Sequence, residues 1–338
     1  MKVVVLTSSW PRHVGDPSGA FVVESCLALQ RAGASLIVHP LEPGISLPGV
    51  QVKPLMAQLN SAVGGLPSRL RRKPHLALKV ARQLLQRYPA WCDAERVVSH
   101  WAVPFPLLAQ ASGVASQRLR TWCHGSGLRL PAAGLALGRA HRLALVAAHQ
   151  RAFLPHRFKG LTTILPVPIQ AFHRRQTQRQ KTLVVVGRLV AQKGVQLLPE
   201  LLDELPGWRA EVIGDGPLRQ QLENDPRITC FGAHSPQDWP GMLSPGVGLC
   251  LSRSAEGSPL VIDELRNLGY PVVASAVAGL AQAVQHEQDG WLVRGRDPQR
   301  WARAIRRAFE ADDLPAFSSQ RRAAPWAWQP FVNWVMTE

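Results

Sequence analysis

Residues 250–275, CLSRSAEGSPLVIDELRNLGYPVVAS, contain the parts of one β-α-β unit, and the rest of the chain is interpreted from it. The apolar run 247–251 predicts a buried strand that ends in a short polar loop. Ser258 and Pro259 are typical of an N-cap and a first helical turn, and the run 271–274 predicts the next strand. The order strand, loop, helix, strand predicts an α/β protein with a parallel sheet.

Two carboxylates flank the start of this predicted helix. Glu256 lies in the loop before it, and Glu264 lies about one and a half turns inside it, facing the N-terminus. The backbone N–H groups of Leu260 and Val261 are expected to be free, and helix N-termini attract anions. Phosphate donors at Ser258 and Leu260 beside two hydroxyl-binding carboxylates suit a sugar nucleotide. The alternative is an ordinary capped helix of an α/β protein.

The seven-residue gap between Glu256 and Glu264 resembles the E-x7-E signature of GT-B fold glycosyltransferases, in particular the large retaining family GT4 (glycosyltransferase group 1). This resemblance implies two Rossmann-like domains, each a doubly wound parallel sheet, facing each other across a cleft. It also implies that Glu256 contacts hydroxyls of the donor sugar and that Glu264 contacts the nucleotide ribose. Further motifs extend the resemblance over nearly the whole chain.

The motif GRLVAQKG, residues 187–194, follows a predicted buried strand at 182–186. It closely resembles the GT4 motif G-R-x4-K-G, in which Arg188 and Lys193 clamp the donor diphosphate. Fixed cations stabilise the negative charge that grows on a leaving diphosphate, so the residue types suit the chemistry. A solvated charge pair after a strand is the alternative. The turn 214–217, GDGP, resembles the family turn beside the nucleotide, which makes Gly214 and Gly216 donor-binding candidates; a simple turn is the alternative.

The N-terminal half begins as a doubly wound domain, with strands predicted at 2–7 and 35–38 and a helix at 20–32 between them. In GT4 enzymes a glycine of the first loop lets the backbone approach the donor phosphates. Gly19 is the first candidate here and Gly15 the second, with a plain loop glycine as the alternative.

A histidine ends the strand predicted at 119–123. His124, in HGSG, resembles the GT4 turn in which a histidine sits over the donor sugar, although Gly127 stands where many relatives have Asp. A structural hydrogen-bonding role is the alternative for His124. His100, followed by Trp101, is a weaker candidate of the same kind.

Basic charge is concentrated in one half of the chain, whose formal net charge is +16. Residues 1–180 hold 23 Lys and Arg against 5 Asp and Glu, and no acidic residue lies between Arg96 and Pro199. The segment 66–91 predicts an amphipathic helix that could lie on anionic lipid, with a solvated helix packed on its own sheet as the alternative. Its candidate membrane or acceptor residues are Arg69, Arg71, Arg72, Lys73, Lys79 and Arg82. The excess charge predicts an anionic partner, unless it reflects only an arginine-rich genome.

Composition narrows the remaining possibilities. The five cysteines are scattered without a C-x-x-C pair, which indicates buried thiols rather than a disulfide framework or a metal site. Neither a signal-peptide core nor about 18 consecutive apolar residues is present, so we expect a cytoplasmic protein, peripheral at most on the inner membrane face. The resemblance implies that no metal cofactor is needed, because Arg188, Lys193 and the helix N-terminus do the work of a cation.

The sequence therefore predicts an acceptor-binding domain at 1–175, a nucleotide-sugar domain at 176–315 and a returning helix at 316–338. The predicted function is retaining transfer of a sugar from a UDP- or GDP-sugar to a lipid-linked or phosphorylated acceptor in surface polysaccharide or glycolipid synthesis. His124 and Glu256 are expected to orient the sugar. One rival is a GT-B nucleotide-sugar epimerase or hydrolase. The other is a non-catalytic basic protein that binds membrane or nucleic acid, which the intact carboxylates and cations speak against.

Overall fold

The computed structural model describes residues 1–16, 18–56, 88, 91–129, 133–138, 142–169, 178–311 and 327–337. The chain divides into two compact units: unit 1 comprises Met1–Pro168 and Ala327–Glu338, and unit 2 comprises Ile169–Trp326. The boundaries expected from the sequence, after residues 175 and 315, both lie within unit 2. The predicted basic helix, with its six candidate membrane residues from Arg69 to Arg82, lies outside the described residues.

Unit 1 contains a parallel sheet of seven strands in the order β3-β2-β1-β4-β5-β6-β7. Val3 to Leu6 are fully buried, as expected for a strand covered on both faces. The described helices of this part are α1 (Ala20–Arg31), α2 (Phe105–Ala111) and α3 (Ala133–Leu137). The strands are β1 (Lys2–Thr7), β2 (Ser35–Pro40), β3 (Gln51–Val52), β4 (Arg96–His100), β5 (Leu119–Cys123), β6 (Arg142–Leu145) and β7 (Thr162–Ile164).

Unit 2 contains a parallel sheet of six strands in the order β10-β9-β8-β11-β12-β13. The strands are β8 (Thr182–Val186), β9 (Arg209–Ile213), β10 (Ile228–Gly232), β11 (Val247–Cys250), β12 (Val272–Ser275) and β13 (Trp291–Val293). The described helices are α4 (Leu198–Asp203), α5 (Arg219–Glu223), α6 (Trp239–Met242), α7 (Leu260–Asn267), α8 (Leu280–Ala283) and α9 (Pro298–Glu310). The predicted doubly wound parallel sheets are thus confirmed, and the fold class is α/β.

The last helix, α10 (Gln329–Met336), belongs to unit 1 and packs against α1 and β4. Phe331 stacks on Trp122 of β5 with ring centroids 4.7 Å apart. The buried Arg120 donates to the carbonyl oxygens of Trp334 and Thr337 at the end of this helix. These contacts place positive charge at a helix C-terminus, where it is favourable.

The strand order reverses once in each sheet, between β1 and β4 and between β8 and β11. In open parallel sheets, ligands bind in the crevice at the carboxyl ends of the two strands beside such a reversal. Each unit therefore offers one position where polar side chains that follow the strands can meet a ligand.

Three strands were not predicted from the sequence: β3, β6 and β13. They are short, with two to four residues, and their alternation or apolar run is too brief to indicate a strand.

The five cysteines are free thiols, three buried and two half-buried. Within the ranges that the structure describes, no helix combines the length and apolar character needed to cross a bilayer.

Candidate functional site

A cavity of about 360 Å³, counting the space open to solvent, lies at the strand-order reversal of unit 2. Its walls come from the carboxyl ends of β8 and β11 and from the start of α7. Arg188, Lys193 and Glu256 all line it, so the structure brings together three of the residues predicted from separate motifs. Gly214, Gly216, Ser258, Leu260 and Glu264 are not among the residues that line it.

The central contact of this cavity is an ion pair. Lys193 Nζ lies 2.8 Å from Glu256 Oε1, and both side chains are largely buried, 23% and 15% exposed. The Ser252 hydroxyl donates to the same oxygen at 2.5 Å. The Lys193 ammonium group has three N–H donors and makes no other hydrogen bond to a residue that the structure describes. The ammonium group therefore keeps donors for a ligand while it holds the carboxylate in place.

Glu256 is ionised at neutral pH despite its burial. Burial alone raises the pKa of this carboxyl group, but the charge and hydrogen bond of Lys193, the Ser252 hydroxyl and the charge of Arg188 outweigh it. The net result is a pKa below its ordinary value. An ionised carboxylate only accepts hydrogen bonds, so Glu256 suits a ligand that presents hydroxyl groups.

Arg188 supplies a second positive charge at the cavity. It follows β8 and Gly187, and it is exposed to solvent. Its guanidinium group makes no ion pair with any carboxylate in the described ranges. A cation that lines a cavity without a carboxylate partner is suited to bind an anion.

Gly194 fixes the turn that carries Lys193. This residue has a left-handed φ of 72°, and a Cβ atom there would overlap the carbonyl oxygen of Leu251. The adjacent amide of Arg253 donates to the Gln192 carbonyl at 2.8 Å. The loop after β8 therefore packs backbone on backbone against the loop after β11, which sets the position of Lys193 relative to Glu256.

Gly214 and Gly216 support the segment that carries Arg188. A Cβ atom at Gly214 would overlap the carbonyl oxygen of Gly187, and one at Gly216 would overlap that of Leu189. The Leu189 amide in turn donates to the Asp215 carbonyl at 2.9 Å. Both glycines thus pack beneath the loop after β8 in this structure.

The start of α7 differs from the prediction. The helix begins at Leu260 with Pro259 as its N-cap residue, and no side chain caps it, so the prediction of Ser258 as the N-cap is wrong. The Leu260 amide donates to the Ser258 carbonyl and the Ile262 amide to the Pro259 carbonyl, both at 3.0 Å. The prediction that the Leu260 N–H is free is therefore also wrong, because Pro259 turns the chain so that a carbonyl group meets it.

Glu264 lies inside α7 and is partly exposed. Burial raises the pKa of its carboxyl group to about 7, and the neighbouring charge of Asp263 adds to the effect. Near neutral pH this side chain can therefore change its charge when a ligand binds.

The candidates of unit 1 lie beside its own strand-order reversal: Gly15 and Gly19 follow β1, and His124 follows β5, the neighbour of β4. Gly19 is the N-cap residue of α1 with a φ of 75°, and a Cβ atom there would overlap the Ser9 carbonyl oxygen. Gly15 also has a positive φ but has open space around it. His124 follows β5, and its Nε2 lies 3.1 Å from Nδ1 of His100. Burial lowers the pKa of His124 well below its ordinary value, with His100 adding to the shift, so the imidazole is neutral.

Two residues of the unit 2 site were missed as functional residues. The Ser252 hydroxyl donates to Glu256, and the available signal was a small polar residue directly after the strand predicted at 247–251. Gly279 has a φ of 93°, and a Cβ atom there would overlap the Glu256 carbonyl oxygen, while the Glu256 amide donates to Ala278 at 2.8 Å. No signal in the sequence connects this glycine with Glu256.

In the described part of the chain, no three His, Cys, Asp or Glu side chains cluster closely enough to hold a metal ion. That the reaction needs no metal ion stays a prediction.

Comparison with known proteins points to one family. Residues 180–311 match the family model described as "Glycosyl transferases group 1". The putative teichuronic acid biosynthesis glycosyltransferase TuaC of Bacillus subtilis is 25% identical over 91% of this chain and 89% of its own length. The first curated relatives matched are longer, and the matched part of this chain spans between 17% and 41% of their length.

Solved structures share the fold. The lipopolysaccharide outer core galactosyltransferase WaaB, in its apo form, has a TM-score of 0.69 at 15% identity and covers 100% of this chain and 99% of its own. The Anabaena protein HepE, in complex with UDP-glucose, has a TM-score of 0.65 at 17% identity and covers 98% of this chain and 94% of its own. At these identities the likeness shows the fold alone, and that fold is the GT-B fold predicted from the sequence.

Proposed function

On the premise that residues 180–311 belong to the glycosyl transferases group 1 family, we propose that this protein is a retaining glycosyltransferase that takes a hexosyl group from a nucleotide-diphosphate sugar. The proposed acceptor is lipid-linked or phosphorylated, in the synthesis of a surface polysaccharide or glycolipid. The observation that carries this proposal is the Lys193–Glu256 ion pair in a cavity that Arg188 also lines.

In the proposed reaction, the cavity in unit 2 binds the donor diphosphate, stabilises its growing negative charge and orients the donor sugar. Arg188 and Lys193 bind the diphosphate, and the charges oppose the negative charge that grows there as the bond from sugar C1 to phosphate oxygen breaks. Glu256 accepts hydrogen bonds from donor sugar hydroxyls and so orients C1. The acceptor oxygen attacks C1 on the face that the phosphate leaves, and its proton passes to the leaving diphosphate oxygen.

The choice of donor and acceptor is supported by the relatives and by charge. HepE is described with UDP-glucose bound, which favours a uridine donor among the nucleotides. TuaC and WaaB are described as acting in teichuronic acid and lipopolysaccharide synthesis, both surface polymers. The strongly basic residues 1–180 suit an anionic acceptor or membrane surface. No metal is required in this proposal, because two fixed cations face the diphosphate.

Nucleotide binding tests the proposal directly. Calorimetric titration with UDP and GDP is expected to show binding of one of them, and Arg188→Ala is expected to weaken it by about 2 kcal/mol, since a charge-assisted contact to phosphate is lost. Arg307→Ala is the matched control, because Arg307 is 71% exposed and, among the described residues, its side chain pairs with Glu287 alone, at the surface. We expect this control to bind as the wild type does.

Absence of binding by both nucleotides would overturn the proposed function and revive the basic binding protein. Binding that is insensitive to Arg188→Ala would contradict the assigned site instead. If the bound nucleotide sugar is isomerised or hydrolysed at full rate without any acceptor, the epimerase or hydrolase alternative is correct.

The raised pKa of Glu264, about 7, predicts proton release on nucleotide binding. If ribose hydroxyls donate to this carboxylate, only its ionised form binds them, so affinity increases with pH between about 6 and 8. Titration in two buffers of different ionisation enthalpy measures the released proton. The terminal phosphate titrates too, so the comparison with Glu264→Gln isolates the carboxylate, and equal release from both proteins would contradict the ribose role.

The Glu264 carboxyl group also makes the free energy of unfolding depend on pH, in a direction that follows from its raised pKa. The pKa of Glu264 in the folded state lies above its ordinary value of 4.5, so the folded state holds the proton more tightly and stability falls as pH rises from about 4.5 through about 7. The Glu264→Gln variant has no ionisable side chain at this position, so its stability does not fall in this way. At pH 8 we expect the variant to be more stable by about 2 kcal/mol, a figure reduced because the side chain is partly exposed.

A further inference from the structure

The strand-order reversal of unit 1 lies between β1 and β4, and the residue directly after β4 is Trp101. By the rule that places ligands at such reversals, this is the position in unit 1 where a ligand is expected. Trp101 is partly exposed, as are Phe21 in the first turn of α1 and His124 after β5. An aromatic cluster therefore forms part of the surface at the carboxyl ends of the strands.

Trp101 has a left-handed backbone, with a φ of 78°. This conformation is costly for a large side chain, and such outliers persist where the surrounding structure enforces them. Two hydrogen bonds enforce it here: the Trp101 amide donates to the Trp122 carbonyl at 2.8 Å, and the Ser99 hydroxyl donates to the Trp101 carbonyl at 3.1 Å. The two hydrogen bonds keep this backbone conformation and so hold the indole at one place beside the end of β4.

The indole forms one wall of a ring cluster. Its centroid lies 6.0 Å from that of Phe21 and 5.3 Å from that of His124, and the Phe21 and His124 rings are 4.7 Å apart. The indole Nε1 makes no hydrogen bond to any residue in the described ranges, and it is not among their buried, unpaired polar atoms. A donor therefore stands at the edge of an apolar surface.

The chain Ser25–His100–His124 sets which nitrogen of His124 accepts a hydrogen bond. Ser25 donates its hydroxyl to the Val22 carbonyl at 2.7 Å, so the His100 Nε2, 3.5 Å away, can only donate to it. Burial lowers the pKa of His100 to about 3, so its Nδ1 then carries a lone pair. That lone pair accepts from His124 Nε2, 3.1 Å away, with the two rings nearly parallel at 8°.

His124 Nδ1 is consequently an acceptor. The ring is neutral and its single proton is on Nε2, which leaves the lone pair on Nδ1. Within the described part of the chain, Nδ1 makes no hydrogen bond and is not a buried unpaired atom. Trp101 Nε1–H and His124 Nδ1 thus offer one donor and one acceptor around the same ring cluster.

We propose that Trp101, with His124 at its edge, forms a binding site for the pyranose ring of the acceptor, in which the sugar stacks on the indole. A pyranose presents an apolar C–H face and hydroxyls that both donate and accept. The apolar C–H face of the sugar stacks on the indole face. The sugar hydroxyls accept a hydrogen bond from Trp101 Nε1–H and donate one to His124 Nδ1. The proposal rests on the proposed function, because Arg188, Lys193 and Glu256, to which the donor is assigned there, lie in unit 2.

Binding of simple sugars tests this site without knowledge of the natural acceptor. Methyl glycosides of glucose, galactose and mannose are added to the full-length protein, and saturation-transfer NMR detects protons that contact it. We expect a signal for at least one glycoside, strongest for the protons of one ring face. Trp101→Asn and Trp101→Gly both tolerate the left-handed backbone and are expected to reduce the affinity about fivefold or more, whereas Trp101→Phe keeps a ring and retains part of it.

UDP and GDP titrations of the same variants separate the two proposals. Unchanged nucleotide binding together with lost glycoside binding supports the acceptor site, and it also shows that the variants are folded. Glycoside binding equal to the wild type in Trp101→Asn and Trp101→Gly, or no glycoside signal in the wild type, overturns the site even when UDP binds. Loss of nucleotide affinity along with glycoside binding also overturns it, because Trp101 then acts on the donor or on the fold. If neither nucleotide binds the wild type, it is the proposed function that fails.

Discussion

Replacing Lys193 with methionine is expected to lower kcat by about 100-fold or more, close to 3 kcal/mol of lost transition-state stabilisation. The side chain lies largely buried in the cavity of unit 2, where a fixed charge acts more strongly than in water. In the proposed reaction it opposes charge that grows on the leaving diphosphate, so the loss is expected in kcat rather than in KM alone. Turnover is to be followed by release of the nucleoside diphosphate from whichever nucleotide sugar the titrations identify as a ligand.

The same substitution changes the protonation of Glu256. Burial raises the pKa of that carboxyl group, and Lys193 is the main group that lowers it again, while Ser252 and Arg188 contribute less. Without the ammonium group the pKa rises, so the acid limb of the pH–rate profile is expected to move to higher pH. A residue with a merely structural role would lower the rate without this displacement.

Lys181→Met is the matched control for this prediction. Lys181 is exposed at the amino end of β8, the strand whose carboxyl end leads to Lys193, so the same chemical change is made at the opposite end of one strand. We expect a rate within about twofold of the wild type, as for most exposed substitutions. Equal rates for the two variants would contradict the assignment of Lys193 to the diphosphate.

The parts of the site that the sequence predicted are those whose signals are local. Strand 182–186 was expected at its observed bounds because a buried parallel strand is a short, continuous apolar run. Arg188, Lys193 and Glu256 directly follow such strands or their loops, and parallel strands end at one edge of the sheet. Their convergence on one cavity is therefore a consequence of strand order.

The parts that the sequence did not predict depend on contacts between distant segments. The sequence gives no sign that Gly279 packs on Glu256, because the overlap arises only when two loops meet. Ser258 has the residue type of an N-cap. The backbone angles of Pro259, however, place the carbonyl group of Ser258 at the helix start, and not the Ser258 hydroxyl. The raised pKa of Glu264 likewise depends on its burial and on the charge of Asp263. The seven-residue spacing from Glu256 does not indicate how deeply the Glu264 side chain is buried.

Replacing Gly194 with alanine is expected to destabilise unit 2 by about 3 kcal/mol or more and to weaken nucleotide binding at least about tenfold. Two costs add: a left-handed backbone at an alanine, about 1 kcal/mol, and overlap of the new Cβ with the Leu251 carbonyl, about 2 kcal/mol. The backbone cannot relax freely, since the neighbouring Arg253 amide is bonded to the Gln192 carbonyl. Any movement that relieves the overlap shifts Lys193 away from Glu256.

Gly207→Ala separates these two costs. Gly207 has nearly the same φ, 78° against 72°, but no atom lies within 4 Å of a Cβ built there. We expect it to lose only about 1 kcal/mol and to bind nucleotide as the wild type does. A chain of two units need not unfold in one step, so hydrogen exchange of β8 and β11 is the measurement to compare. Similar losses in both variants would mean that the loop yields at Gly194, and that the glycine is needed for its dihedral angle alone. A larger loss at Gly194 means that close packing of two loop backbones holds Lys193 in place.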